Sequence, residues 1–77
     1  MPVMEIVIFP LDTERRPIMG DFVTYFMLLS KQKGVKCQLT SPTRAIIEGD
    51  KETLLEILDG FDNNSFSTVA KRVAFIP

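Results

Sequence analysis

The chain has 77 residues, enough for a single domain spanning 1–77 and too few for a second. Hydrophobic residues at 45% and charged residues at 25% describe a globular chain, and nine basic against ten acidic side chains give a charge of -1, with no general pull toward nucleic acid or anionic membrane. The absence of histidine excludes Ser-His, Cys-His and His-metal chemistry, and the single cysteine, Cys37, excludes an internal disulfide and a cysteine metal cluster.

Val3 to Phe9 is β-branched and apolar and stops at Pro10, which predicts a strand. Ile6 and Ile8 point to one side and Glu5, Val7 and Phe9 to the other, so both faces are mostly apolar and the strand is expected to be central. Leu11 to Arg16 is a polar loop, and Pro17 suits the first turn of a helix. Ile18, Phe22, Tyr25, Phe26 and Leu29 recur at helical spacing. Lys31, Gln32 and Lys33 are expected in the last turn, where positive charge suits the helix dipole, with Gly34 as the stop.

Val35 to Thr40 alternates, with Val35, Cys37 and Leu39 on one face and Lys36, Gln38 and Thr40 on the other, as in a half-buried strand. Ser41-Pro42 marks a turn, and Arg44 to Glu48 returns as the second arm of a hairpin. Gly49 and Asp50 open a second helix, with Asp50 as N-cap, Glu52 in the positive first turn and Leu54, Ile57, Leu58 and Phe61 as the apolar stripe. Gly60 and Asp62-Asn63-Asn64 are expected to end it. Ser65 to Lys71 fits neither helix nor loop decisively, and Val73 to Ile76 forms a last strand before Pro77.

The order β-α-β-β-α-β, with each helix crossing between parallel neighbours, predicts an α+β ferredoxin-like sandwich: a four-stranded antiparallel sheet with both helices on one face. The other face would carry Glu5, Val7, Phe9, Lys36, Gln38, Thr40, Arg44, Ile46 and Glu48. A chain this small buries only about 60% of its unfolded surface, and without disulfide or cysteine/histidine metal staples self-association is the remaining support. A homodimer or homotetramer through the sheet face or an edge is therefore expected. The apolar runs are too short for a membrane span, and Met1 to Glu5 has no signal pattern, so the cytoplasm is the expected compartment.

The segments Glu5-Ile6-Val7-Ile8-Phe9-Pro10-Leu11, Gly34 to Leu39, Ser41-Pro42-Thr43-Arg44-Ala45-Ile46-Ile47-Glu48-Gly49 and Lys71-Arg72-Val73, in that order and spacing, resemble the small thiamine-binding (YkoF-like) family. The resemblance covers nearly the whole chain. It implies a ferredoxin-like oligomer that binds thiamine or its hydroxymethylpyrimidine part without transforming it. An aminopyrimidine needs a flat apolar slot, an acceptor for its exocyclic amine and a donor for a ring nitrogen. Glu48 is the candidate acceptor, Thr40, Ser41 and Thr43 are candidate donors, and Tyr25, Phe22 or Phe26 offers a ring face.

Each candidate also has a simpler reading. Glu48 can support the strand end or pair with Arg44; Thr40, Ser41 and Thr43 can form the turn; and the aromatic residues can be core. Arg15 and Arg16, beside a helix N-terminus, are candidate anion ligands or a solvated loop. Cys37 reads as a small buried hydrophobe. An acylphosphatase loop is not recognisable in Leu11 to Pro17, Arg44 to Ile47 lacks the aromatic residues of an RNA-binding sheet, and no spacing among Asp12, Glu14, Glu48 and Asp50 marks an acid/base pair. The expected protein is thus a non-enzymatic ligand binder with no catalytic residue, metal or cofactor. A structural or regulatory interaction module without a small ligand is the alternative.

Overall fold

The computed structural model describes residues 2–10, 15–32, 34–63, 66 and 69–76. Its elements are β1 (Val3–Phe9), α1 (Arg15–Leu29), β2 (Lys36–Ser41), β3 (Arg44–Glu48), α2 (Lys51–Asp62) and β4 (Ala70–Ile76). One sheet has the order β2-β3-β1-β4, with every neighbouring pair antiparallel. This is the expected ferredoxin-like arrangement, with one correction to the crossovers. β1 and β2 are parallel but separated by β3, and β3 and β4 are parallel but separated by β1, so each helix spans a gap that an antiparallel strand fills.

The period of two along β1 decides which side is core. Met4, Ile6 and Ile8 are buried, as are Ala45 and Ile47 on β3. They meet Phe22, Phe26 and Leu29 of α1 and Leu54, Ile57 and Phe61 of α2, so both helices cover the same side of the sheet. Phe22 stands 4.7 Å from Phe26 and edge-on to Phe61 at 6.0 Å between ring centroids. Phe66, outside the helices and strands, stacks on Phe61 at 4.7 Å and 6°. Each buried Phe side chain is worth about 1.5–3 kcal/mol in burial alone, so the aromatic cluster between the helices is a main source of stability.

Several boundaries differ from expectation for local reasons. α1 begins at Arg15 and ends at Leu29, so Lys31 and Gln32 follow the helix instead of filling its last turn. The Ser30 hydroxyl donates to the Met27 carbonyl at 2.7 Å, and Lys31 and Gln32 make tight three-residue bonds back to Leu28 and Leu29. This tightening closes the helix early. Gly34 then takes φ 79, a left-handed conformation that suits glycine, and returns the chain to the sheet. Lys33 lies outside the described residues.

α2 continues through Gly60 to Asp62. Its end is held by Asn63, whose backbone N–H and side-chain amide donate to the Gly60 and Asp59 carbonyls. At the other end Asp50 is the expected N-cap, accepting from the Thr53 N–H at 2.9 Å and the Thr53 hydroxyl at 3.0 Å. β4 starts at Ala70, three residues earlier than Val73, and Lys71 is strand; Ser65, Ser67 and Thr68 lie outside the described residues. β2 is shifted by one residue, to Lys36–Ser41, with its expected faces retained. Among the described residues, no helix is long and apolar enough to cross a membrane.

Candidate functional site

The side of the sheet away from the helices is laid out by strand register, because partners across antiparallel strands share a face. One row reads Lys36, Glu48, Val3, Ile76, and the next Gln38, Ile46, Glu5, Ala74. A third contains Arg44, Val7 and Arg72, and Phe9 and Ala70 close the face. Charged and apolar side chains are interleaved, as the sequence suggested.

The Glu5 carboxylate sits in the middle of this face with its side chain only 15% exposed. Arg44 donates to its Oε2 through both Nε, at 2.8 Å, and Nη2. The Arg72 guanidinium lies 3.8 Å from the other oxygen. Glu5, rather than Glu48, is therefore the partner of Arg44. Glu5 thus takes hydrogen bonds on one carboxylate oxygen from Arg44 and faces the Arg72 charge on the other.

Glu48 lies at the end of β3, half-buried, in a hollow of about 310 Å³ bounded by Lys36, Cys37, Gln38, Ile46 and Glu48. Gly49 follows it directly and helps fix this corner. Its N–H donates to the Pro2 carbonyl, and a Cβ there would come within 3.3 Å of the Gly34 carbonyl oxygen. The hollow combines a carboxylate acceptor, an amide that can donate or accept, an ammonium and the apolar surface of Ile46. Cys37 packs against the core from this same strand, and burial pushes its thiol pKa up to about 11, so it is held as a thiol and is a poor nucleophile.

The other sequence-derived candidates stand elsewhere. Ser41 and Thr43 face each other across Pro42, with their hydroxyl oxygens 3.2 Å apart and the Thr43 N–H donating to the Ser41 hydroxyl. Thr40 is the extra residue of a bulge, since Leu39 pairs with Ala45 and Ser41 with Arg44. These three hold the hairpin tip: Thr43 is five residues and roughly 17 Å along the strand direction from Glu48, and Ser41, opposite Arg44, is level with a position four residues and roughly 14 Å away. Tyr25 is on α1, across the sheet, half-buried with its ring 5.0 Å from Phe26 and 5.8 Å from Phe61. Burial also raises its phenol pKa.

The five proposed ligand residues thus occupy three places. Glu48 shares its hollow with Lys36, Gln38 and Ile46, which sequence reasoning put on the open face but not in the site. The strand register that joins them was implicit in the short Ser41-to-Thr43 turn. The proposed anion site at Arg15 and Arg16 rests on side chains outside the described residues. Among the described residues, no three Asp, Glu or Cys side chains gather as metal ligands.

A second hollow, of about 300 Å³, lies at the edge of the molecule among Pro2, Lys51, Leu55, Phe75 and Ile76, and its walls are almost wholly apolar. Comparison with known proteins finds no matching family model, no matching curated protein and no matching solved structure.

Proposed function

We propose that the chain is a non-enzymatic binding protein, working as a homo-oligomer, that takes thiamine or its hydroxymethylpyrimidine part on the open face of its sheet. The observation that carries this reading is the Glu48 hollow, where a carboxylate, the Gln38 amide and the flank of Ile46 lie together. An aminopyrimidine would lie against Ile46, give its exocyclic N–H to Glu48 and accept at a ring nitrogen from Gln38. The resemblance in Ser41 to Gly49, which includes Glu48, points to the same corner. Ser41 and Thr43 already bond each other and serve the turn, and Tyr25 serves the aromatic core.

Calorimetric titration tests the reading. Thiamine or hydroxymethylpyrimidine gives saturable heat, and Glu48→Gln weakens binding by about ten- to hundredfold, the effect of losing a charged hydrogen-bond partner. Absence of heat at millimolar ligand contradicts it. That result favours an interaction module with no small ligand, a reading supported by the exposed apolar side chains of Leu55, Phe75 and Ile76.

A further inference from the structure

We propose that β4 is the strand through which two copies of this chain join, edge to edge and antiparallel, so that two four-stranded sheets become one continuous sheet. This rests on the homo-oligomer proposed above and names its surface. The sheet has two edges, β2 and β4. β2 is blunted: it has six residues, carries Lys36 at its start and is broken by the bulge at Thr40. β4 has seven residues in unbroken register with β1, from Phe9↔Ala70 to Val3↔Ile76. Among the described residues, no other strand pairs with its outer side.

The sequence of β4, Ala-Lys-Arg-Val-Ala-Phe-Ile, is suited to pairing with itself. A two-fold axis perpendicular to the sheet keeps faces aligned only if it passes through a residue position. An axis at Val73 pairs all seven residues: Val73 with itself, Arg72 with Ala74, Lys71 with Phe75 and Ala70 with Ile76. No charge then opposes a like charge. Moving the axis to Arg72 sets two guanidinium groups against each other, which is unfavourable.

The Val73 register also covers what the single chain leaves open. Phe75 is 47% exposed and Ile76 55% exposed, and each gains an opposing residue from the copy. Lys71 suits a position opposite Phe75 because Asp62 holds its ammonium at 2.7 Å, leaving its hydrocarbon stem to pack.

Ala74→Arg tests the register. In its own sheet position 74 is opposite Glu5, so a guanidinium is tolerated there; across the two-fold axis it meets Arg72. Light scattering at roughly 100 µM should give a mass of at least two chains for the native protein, with dissociation strengthened about tenfold or more by Ala74→Arg. Adding Arg72→Glu should restore the native mass, because the paired positions then carry opposite charges. A folded Ala74→Arg protein with unchanged mass overturns the β4 interface and leaves self-association standing. A native protein that stays a single chain overturns both, and neither result bears on the calorimetry of the Glu48 hollow. Hydrogen exchange on the native protein decides the matter if the variant fails to fold. Outer β4 amides that gain protection with concentration support the pairing, and concentration-independent exchange overturns it.

Discussion

Arg44 and Glu5, 39 positions apart in the chain, meet on the uncovered side of the sheet, where the guanidinium Nε donates to Oε2 at 2.8 Å. The pair follows from register: Val7 is opposite Arg44 and Glu5 opposite Ile46, so the two charges are diagonal neighbours on one face. Arg44 is half exposed, which limits the energy of the contact. A double-mutant cycle with Glu5→Gln and Arg44→Gln, read by urea unfolding, should give a coupling of about 0.5–1 kcal/mol that shrinks in molar salt. A coupling near zero in low salt would remove this pair from the account of the face.

The aromatic cluster should dominate stability. Phe22, Phe61 and Phe66 are buried, and the last two stack in parallel. Phe61→Ala or Phe66→Ala should cost about 3–5 kcal/mol, enough to leave so small a domain marginal, whereas Phe61→Leu should cost less. Phe66 is the more telling case, since it lies outside helix and strand, and its buried ring stacks on Phe61 in the passage from α2 to β4 while its carbonyl accepts from the Val69 N–H. Thermal or urea unfolding of the two alanine variants checks this; a cost below about 1 kcal/mol at Phe66 would mean that the stack does not anchor the passage.

Cys37 should react slowly in the folded protein. With its thiol pKa pushed up to about 11, the thiolate fraction at pH 8 is about a hundredfold or more below that of a free cysteine. Disulfide-exchange reagents should therefore label it slowly until urea unfolds the chain. The raised folded pKa also fixes the sign of the linkage. This contribution is complete below the ordinary thiol value of 9.0 and is lost as pH rises toward about 11, so Cys37→Ala should flatten the alkaline fall in stability.

Asp50 should show the opposite dependence. The hydrogen bonds from Thr53 lower its carboxyl below the ordinary aspartate value of 3.8. Its contribution is present above that value and is lost as pH falls through the depressed folded pKa. Asp50→Ala should lower the melting temperature at pH 7, and the gap from the native protein should narrow in strong acid. A gap that stayed constant down to pH 2 would show that the cap acts without its charge.

The fold was legible because period and punctuation agreed: the alternation in β1, the stripe in α2 and the cap at Asp50 all stand as expected. Errors fell where two local signals competed. Of the two stop signals expected for α2, Gly60 is passed over and Asp62-Asn63 ends the helix as expected, because the Asn63 backbone and side chain both reach carbonyls of the last turn. The basic residues after Leu29 looked like a helix end, but Ser30 closed the helix first. At the site, the open-face side chains could be assigned from alternation alone. Their partners could not, because register across three strands decides that Arg44 reaches Glu5 and that Glu48 shares a hollow with Gln38. Tyr25 was drawn toward the ligand by residue type, although its helical spacing already placed it among the core aromatics.

The central claim is that a small ligand lies on the bare sheet beside Glu48. Backbone amide shifts followed by NMR during titration with thiamine and with hydroxymethylpyrimidine test it most directly. Saturable shifts centred on Lys36 to Gln38 and Ile46 to Glu48, with Ser41, Thr43 and Tyr25 little changed, are the predicted result. Shifts confined to the hairpin tip or the helices, or none at millimolar ligand, would contradict it.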